Sequence, residues 1–192
     1  MVPALRTRRL AAEAAGLLMV AGLFAACGGN RAQDPLADGT VTPARAIQLT
    51  SLAFPDGGDI PKEYTCDGFD ASPALAWSGL PQGTRSLAVV VDDPDAGGFI
   101  HWVVYAMPPD REGIPARVLP DVVDYRQGKN DFGKTGYGGP CPPKGSRHTY
   151  RFRVYALDTD IFISAGSSAN DVIEAMRGHI LAYGQLTGRY GR

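Results

Sequence analysis

"SLAVVVDDPDAGGFIHWVVYAM", residues 86–107, sets two nearly continuous apolar runs on either side of an acidic, glycine-punctuated seam. The runs "SLAVVV" (86–91) and "IHWVVYAM" (100–107) are short and rich in β-branched and aromatic residues, which predicts interior strands covered on both faces. Pro94 and the Gly97-Gly98 pair predict a turn between them. The seam also concentrates Asp92, Asp93, Asp95 and His101 where charge is costly to bury. Two readings fit: a polar loop, in which aspartates serve turns, or the rim of a pocket.

Upstream of this stretch, "IQLTSLAF" (47–54) and "PALAWSGLP" (73–81) are strand candidates, the second with Trp77 as a core anchor. "HTYRFRVYALD" (148–158) alternates Tyr150, Phe152, Val154 and Ala156 against Arg151 and Arg153, the period of a strand with one wet face. One helix is expected, in "SANDVIEAMRGHILAYG" (168–184). Ser168 or Asn170 would cap it, Val172, Ile173, Met176, Ile180 and Leu181 would form its apolar stripe, and Gly184 would stop it. The tail "QLTGRYGR" is too short to assign. Twenty-four glycines and 15 prolines in 192 residues imply many turns and a β-rich architecture.

Residues 108–147 are loop-rich, and "GKNDFGKTGYGGPCPPKGS" (128–146) is their densest Gly/Pro segment. Gly138-Gly139 permits close approach of backbone to a ligand, while Pro140, Pro142 and Pro143 stiffen the segment. That combination suits a clamp on a small ligand; a structural turn is the other reading.

The amino-terminal residues read separately. Arg6, Arg8 and Arg9 precede an apolar stretch ending in small residues before Cys27, the layout of a secretory signal over residues 1–26. Phe24-Ala25-Ala26-Cys27 is similar to a bacterial lipobox, which makes Cys27 the expected lipidation site, and residues 27–45 read as a flexible tether. The expected product is exported to the cell envelope and anchored to a bacterial membrane, with one folded domain over 46–192. The chain carries 19 basic and 20 acidic side chains, and residues 1–26 hold three arginines and one glutamate, so cleavage leaves 16 and 19, a net charge of −3. With no basic stripe to neutralise phosphates, a nucleic-acid partner is excluded.

If Cys27 is acylated, Cys66 and Cys141 remain as an even pair in an oxidising compartment, where a disulfide is the default. Spacing alone leaves two separate thiols open.

"DDPDA…HW" (92–102) followed by "DFGKTGYGGPCPPKGSRHTYRFRVYALD" (131–158) resembles the two signature regions of the phosphatidylethanolamine-binding proteins, in their bacterial Raf-kinase-inhibitor-like branch. The upstream "CDGFDASPALAWSGLPQGTRSLAVVV" (66–91) and "GHILAYGQLTGRY" (178–190) agree with that branch. The resemblance implies a mainly β fold, an antiparallel β-sandwich with peripheral helices, and a small anion pocket at one end. Carried onto this chain, the pocket uses Asp93, Asp95, His101, the Gly139 to Cys141 backbone, His148 and Tyr150. Imidazole and phenol donate to anionic oxygens, glycine bares backbone N–H groups, and a carboxylate holds a histidine in its donor tautomer. The carboxylates also repel a phosphate unless protonation compensates, so they alternatively accept an ammonium or hydroxyl from a phospho-head-group.

Two departures stand out: Gly97 replaces the proline usual after DPDA, and Thr149 replaces the arginine of H-R-Y. The function expected is a non-catalytic binding protein for a small phosphorylated or anionic ligand, with no cofactor. The alternative is regulation of a protein target, such as inhibition of a hydrolase. An enzyme ranks third: Cys141 with His148 would make a nucleophile–base pair, which a disulfide abolishes. A metal on Asp93, Asp95, His101 and His148 is not expected.

Overall fold

A computed structural model describes Met1 and residues 44–121 and 124–192. The signal segment, Cys27 and all but the last two residues of the expected tether lie outside the described residues.

The two apolar runs pair as expected. Strand β5 (Ser86–Asp93) and strand β6 (Phe99–Met107) form an antiparallel hairpin at the centre of a seven-stranded sheet. The earlier strands are β1 (Ala44–Arg45), β2 (Gln48–Thr50), β3 (Gly58–Asp59) and β4 (Leu75–Ser78). The later ones are β7 (Gly113–Ile114), β8 (Arg126–Gln127), β9 (Arg147–Leu157) and β10 (Ile180–Gly191). The large sheet runs β1-β10-β9-β5-β6-β8, with β3 also on β10, and a smaller sheet runs β2-β4-β7. Among the described strands, all pairings are antiparallel except those of β1 and β3, which add to β10 in parallel. Those two-residue pieces come from the far end of the chain, so no tight turn dictates their direction.

The central strands are buried on both faces, and alternation sorts their side chains into two cores. Leu87, Val89, Val91, Phe152 and Val154 meet Leu49, Leu75 and Trp77 of the small sheet. Ala88, Val90, Tyr155 and Leu157 meet Val172, Ile173 and Met176 of helix α1 (Ala169–Met176) on the other side. Ser168 caps α1, its hydroxyl accepting from the Asp171 N–H while Asp171 accepts from the Ser168 N–H.

Two expectations need correction. The helix stops at Met176, and Ile180, Leu181 and Gly184 belong instead to β10, which also takes in nearly all of the tail. Gly178, at φ 76°, breaks the helix. The strand's inward positions are Ala182, Gly184, Leu186 and Gly188, which carry little β signal because two lack side chains. Their smallness is structural: a Cβ on Gly184 would lie 2.5 Å from the Ile47 carbonyl oxygen, and one on Gly188 the same distance from Ile60 Cγ1. The second correction is the wet face assigned to β9. Arg153 is only 2% exposed, and Asp92, fully buried, lies between Arg151 and Arg153. Arg153 Nη2 donates to Asp92 Oδ1 at 2.9 Å, and Arg151, the cross-strand partner of Asp92, donates to Oδ2.

Candidate functional site

The seam places its aspartates on opposite faces. Asp92 follows Val90 and Ala88 toward the helix side, where the two arginines neutralise it, while Asp93 follows Val91 toward the small-sheet side. There Asp93 caps the 3₁₀ turn Pro94–Ala96 through Oδ1, which accepts from the Ala96 N–H at 3.0 Å. Its Oδ2 accepts from His148 Nδ1 at 2.7 Å. A carboxylate only accepts, so the proton sits on Nδ1 and the Nε2 of His148 is left over.

His101 reaches the same place by an irregularity of β6. Val91 pairs with Trp102 but Asp92 pairs with Ile100, so His101 is an extra residue, a β-bulge. Trp102 then falls into the core between the sheets and Ile100 into the core under the helix, while the imidazole swings to the strand end. His101 and Gly138 clasp each other: His101 Nδ1 donates to the Gly138 carbonyl at 2.7 Å, and the Gly138 N–H donates to the His101 carbonyl at 2.9 Å. The carbonyl fixes the tautomer, and Nε2 is again the nitrogen left over. Phe99, Phe132 and Tyr150 surround the ring edge to face at 5.2–5.3 Å. Burial pushes the His101 pKa below the ordinary 6.5, outweighing the Gly138 carbonyl and the Asp93 charge, which act the other way.

A cleft of about 180 Å³ opens here. Asp93, Ala96, Phe99 and His101 line it from the hairpin, His148 from β9, and Phe132, Cys141, Pro142 and Pro143 from the Gly/Pro loop. Tyr150 stands behind the histidines, its phenol kept protonated by burial and then by the neighbouring Asp93.

Asp95 and Gly139 take other places. Exposed Asp95 accepts the Thr149 N–H at 2.7 Å and ties the turn to β9. The Gly139 N–H is committed to Asp70 Oδ1 at 2.6 Å. Glycine is needed there because a Cβ would come within 2.6 Å of the Tyr64 carbonyl oxygen. Cys141 does meet Cys66 in a disulfide, their Cα atoms 5.4 Å apart. Among the described residues no three His, Cys, Asp or Glu side chains gather to hold a metal.

Sequence reasoning missed Phe99, Phe132, Asp70 and Asn130. Buried Asn130 accepts the N–H groups of Phe132 and Lys134 through Oδ1 and donates to the Gly136 carbonyl, knitting the loop that presents Phe132. The signal available was an asparagine opening a glycine-rich turn.

The phosphatidylethanolamine-binding protein family model matches residues 50–191. The chain belongs to that family. A UPF0098 protein of Methanothermobacter thermautotrophicus is 48% identical over 153 residues, covering 76% of this chain and 99% of its own. YbcL of Escherichia coli is 37% identical over 164 residues, covering 77% and 88%. The crystal structure of YbcL, a new member of the mammalian family, superposes with a TM-score of 0.72 at 35% identity over 77% of this chain and 99% of that one. The homologue CT736 from Chlamydia trachomatis gives 0.70 at 38% identity over 78% and 99%. The family resemblance read from the DPDA and GGPCPP regions and the mainly β fold are therefore both established.

Proposed function

We propose that this family member is an exported, lipid-anchored, non-catalytic receptor for a small phosphate-bearing ligand, held at the cleft by His101 and His148. The observation that carries the reading is the shared use of Nδ1. Both histidines spend it on the protein, on Gly138 and Asp93, so both keep Nε2 for a ligand in the same cleft. Phe99, Phe132 and the prolines exclude water and strengthen whatever polar contacts the ligand makes. Asp93 holds the His148 ring through Nδ1, so the protonated form of that ring turns an Nε2–H toward the ligand.

The size of the cleft favours a head group over a whole lipid or a nucleotide. Titration calorimetry with inorganic phosphate and with phosphoethanolamine tests the reading. Saturable binding that His148→Ala weakens at least tenfold supports it. Absence of binding at millimolar concentrations of both refutes it. Anchoring through Cys27 is tested by the mass of the mature amino-terminal peptide, which Cys27→Ser returns to an unacylated form.

A further inference from the structure

The Cys66–Cys141 bridge is not buried in either core: both cysteines are exposed. Exposed disulfides are the ones that exchange with external thiols. The surroundings of the two sulfurs are unequal. Arg192 directs Nη1 at Cys141 Sγ, 3.4 Å away. Asp67, the residue after Cys66, accepts from Arg192 Nε at 3.0 Å and from the Tyr190 hydroxyl at 2.6 Å. A cation therefore touches the sulfur of Cys141, and a carboxylate neighbours Cys66 in the chain. Cys141 also lines the ligand cleft, and the Cys66 N–H donates to the Pro140 carbonyl at 3.2 Å beside it.

We infer that this bridge is a redox-active site, opened by an external dithiol that attacks Cys66, and that its opening loosens the cleft. In the first step a thiolate of the reductant forms a bond to Cys66 Sγ. The Cys66–Cys141 bond breaks, and its electron pair leaves on Cys141 Sγ as a thiolate that Arg192 stabilises. In the second step the reductant's other thiolate attacks its own sulfur in the mixed disulfide. Cys66 leaves as a thiolate and takes a proton from water; the protein gains two electrons, and the reductant ends as a disulfide. The segment 138–143 then keeps its hydrogen bonds to His101, Asp70 and Cys66 but loses its covalent tie.

The coupling to ligand rests on the proposed function; the direction of attack does not. Oxidised full-length protein is treated at pH 7, without denaturant, with the monothiol glutathione, quenched with maleimide and mapped by mass spectrometry. The expected product carries glutathione on Cys66 and maleimide on Cys141, and Arg192→Gln slows its formation about fivefold. Glutathione mainly on Cys141, an unchanged rate in the variant, or reduction only in denaturant overturns the site.

The loosening is read separately, by amide hydrogen exchange at Gly138 and Gly139 and by phosphate titration of both redox forms. Faster exchange on reduction, with phosphate affinity down by at least threefold, is expected. If phosphate binds neither form, the functional reading fails while the exchange result still decides the loosening. Unchanged exchange, or equal affinity of both forms, overturns the link between bridge and cleft.

Discussion

Replacing Asp92 with asparagine removes one charge and leaves the shape of the side chain intact, so it isolates the electrostatics of the face opposite the cleft. The carboxylate is fully buried, Arg153 is 2% exposed beside it and Arg151 is 18% exposed at its side chain. After the substitution, two guanidinium groups face a neutral amide whose N–H groups repel them. The Tyr155 ring, centred 5.8 Å from the Arg153 guanidinium carbon, offsets only part of this. Removing one partner of a buried ion pair costs about 3–5 kcal/mol. At about 2–4 °C per kcal/mol for a domain of this size, the melting temperature falls by about 6–20 °C. Calorimetry and urea unfolding measure the loss, and phosphate titration at a temperature where the variant is folded measures the cleft. Affinity stays within about twofold of the parent, because the Asp92 oxygens are spent on Arg151 and Arg153 and its charge is the smallest of the influences acting on His101. A melting temperature within about 2 °C of the parent, or lost binding in a stable variant, would refute the division of the two aspartates between two faces.

Trp102→Ala destabilises by about 3–5 kcal/mol, since it empties a core position and strands Gln127 Oε1, the acceptor of the indole N–H at 2.6 Å. His101→Ala weakens phosphate binding and costs less stability in the same urea experiment. Phosphate affinity rises as pH falls from 7 toward 6, because His101, held neutral by burial, must gain a proton before Nε2 donates; affinity flat from pH 5 to 8 would count against this. The same depressed pKa means that the unfolded chain takes up the proton first. Stability attributable to His101 is therefore intact above pH 6.5 and lost below it, and the fall in melting temperature from pH 7 to pH 5 is shallower in His101→Gln. Gly184→Ala lowers the urea midpoint by about 1–3 kcal/mol worth of stability, because the new methyl would sit 2.5 Å from the Ile47 carbonyl oxygen.

The central strands were legible because continuous Val, Leu and Trp runs carry their burial in the sequence, and the structure covers β5 and β6 on both faces as those runs imply. β10 was not, because three of its four inward positions are glycine or alanine, whose information lies in what packs over them. Arg151 and Arg153 looked solvated because a strand sequence cannot reveal a buried aspartate on its neighbour. The cleft residues Asp93, His101, Cys141 and His148 were named, but their division of labour was not. Simple alternation puts His101 and Trp102 on opposite sides, whereas pairing shows an inserted residue, which no local pattern announces. Asp93, the seam aspartate that orients His148, was likewise not separated in sequence from Asp95, which serves the turn instead.

The reciprocal pair of bonds between His101 and Gly138 makes a proton's address depend on a loop's position. The Gly138 carbonyl is what keeps hydrogen on Nδ1; when the segment lifts away, nothing enforces that choice, and neutral imidazole in water populates both tautomers. Ordering of the loop and readiness of the imidazole are then one equilibrium seen through two probes. Nitrogen chemical shifts of a single ring would report, without any ligand present, what fraction of the molecules has the far wall of the cleft in place.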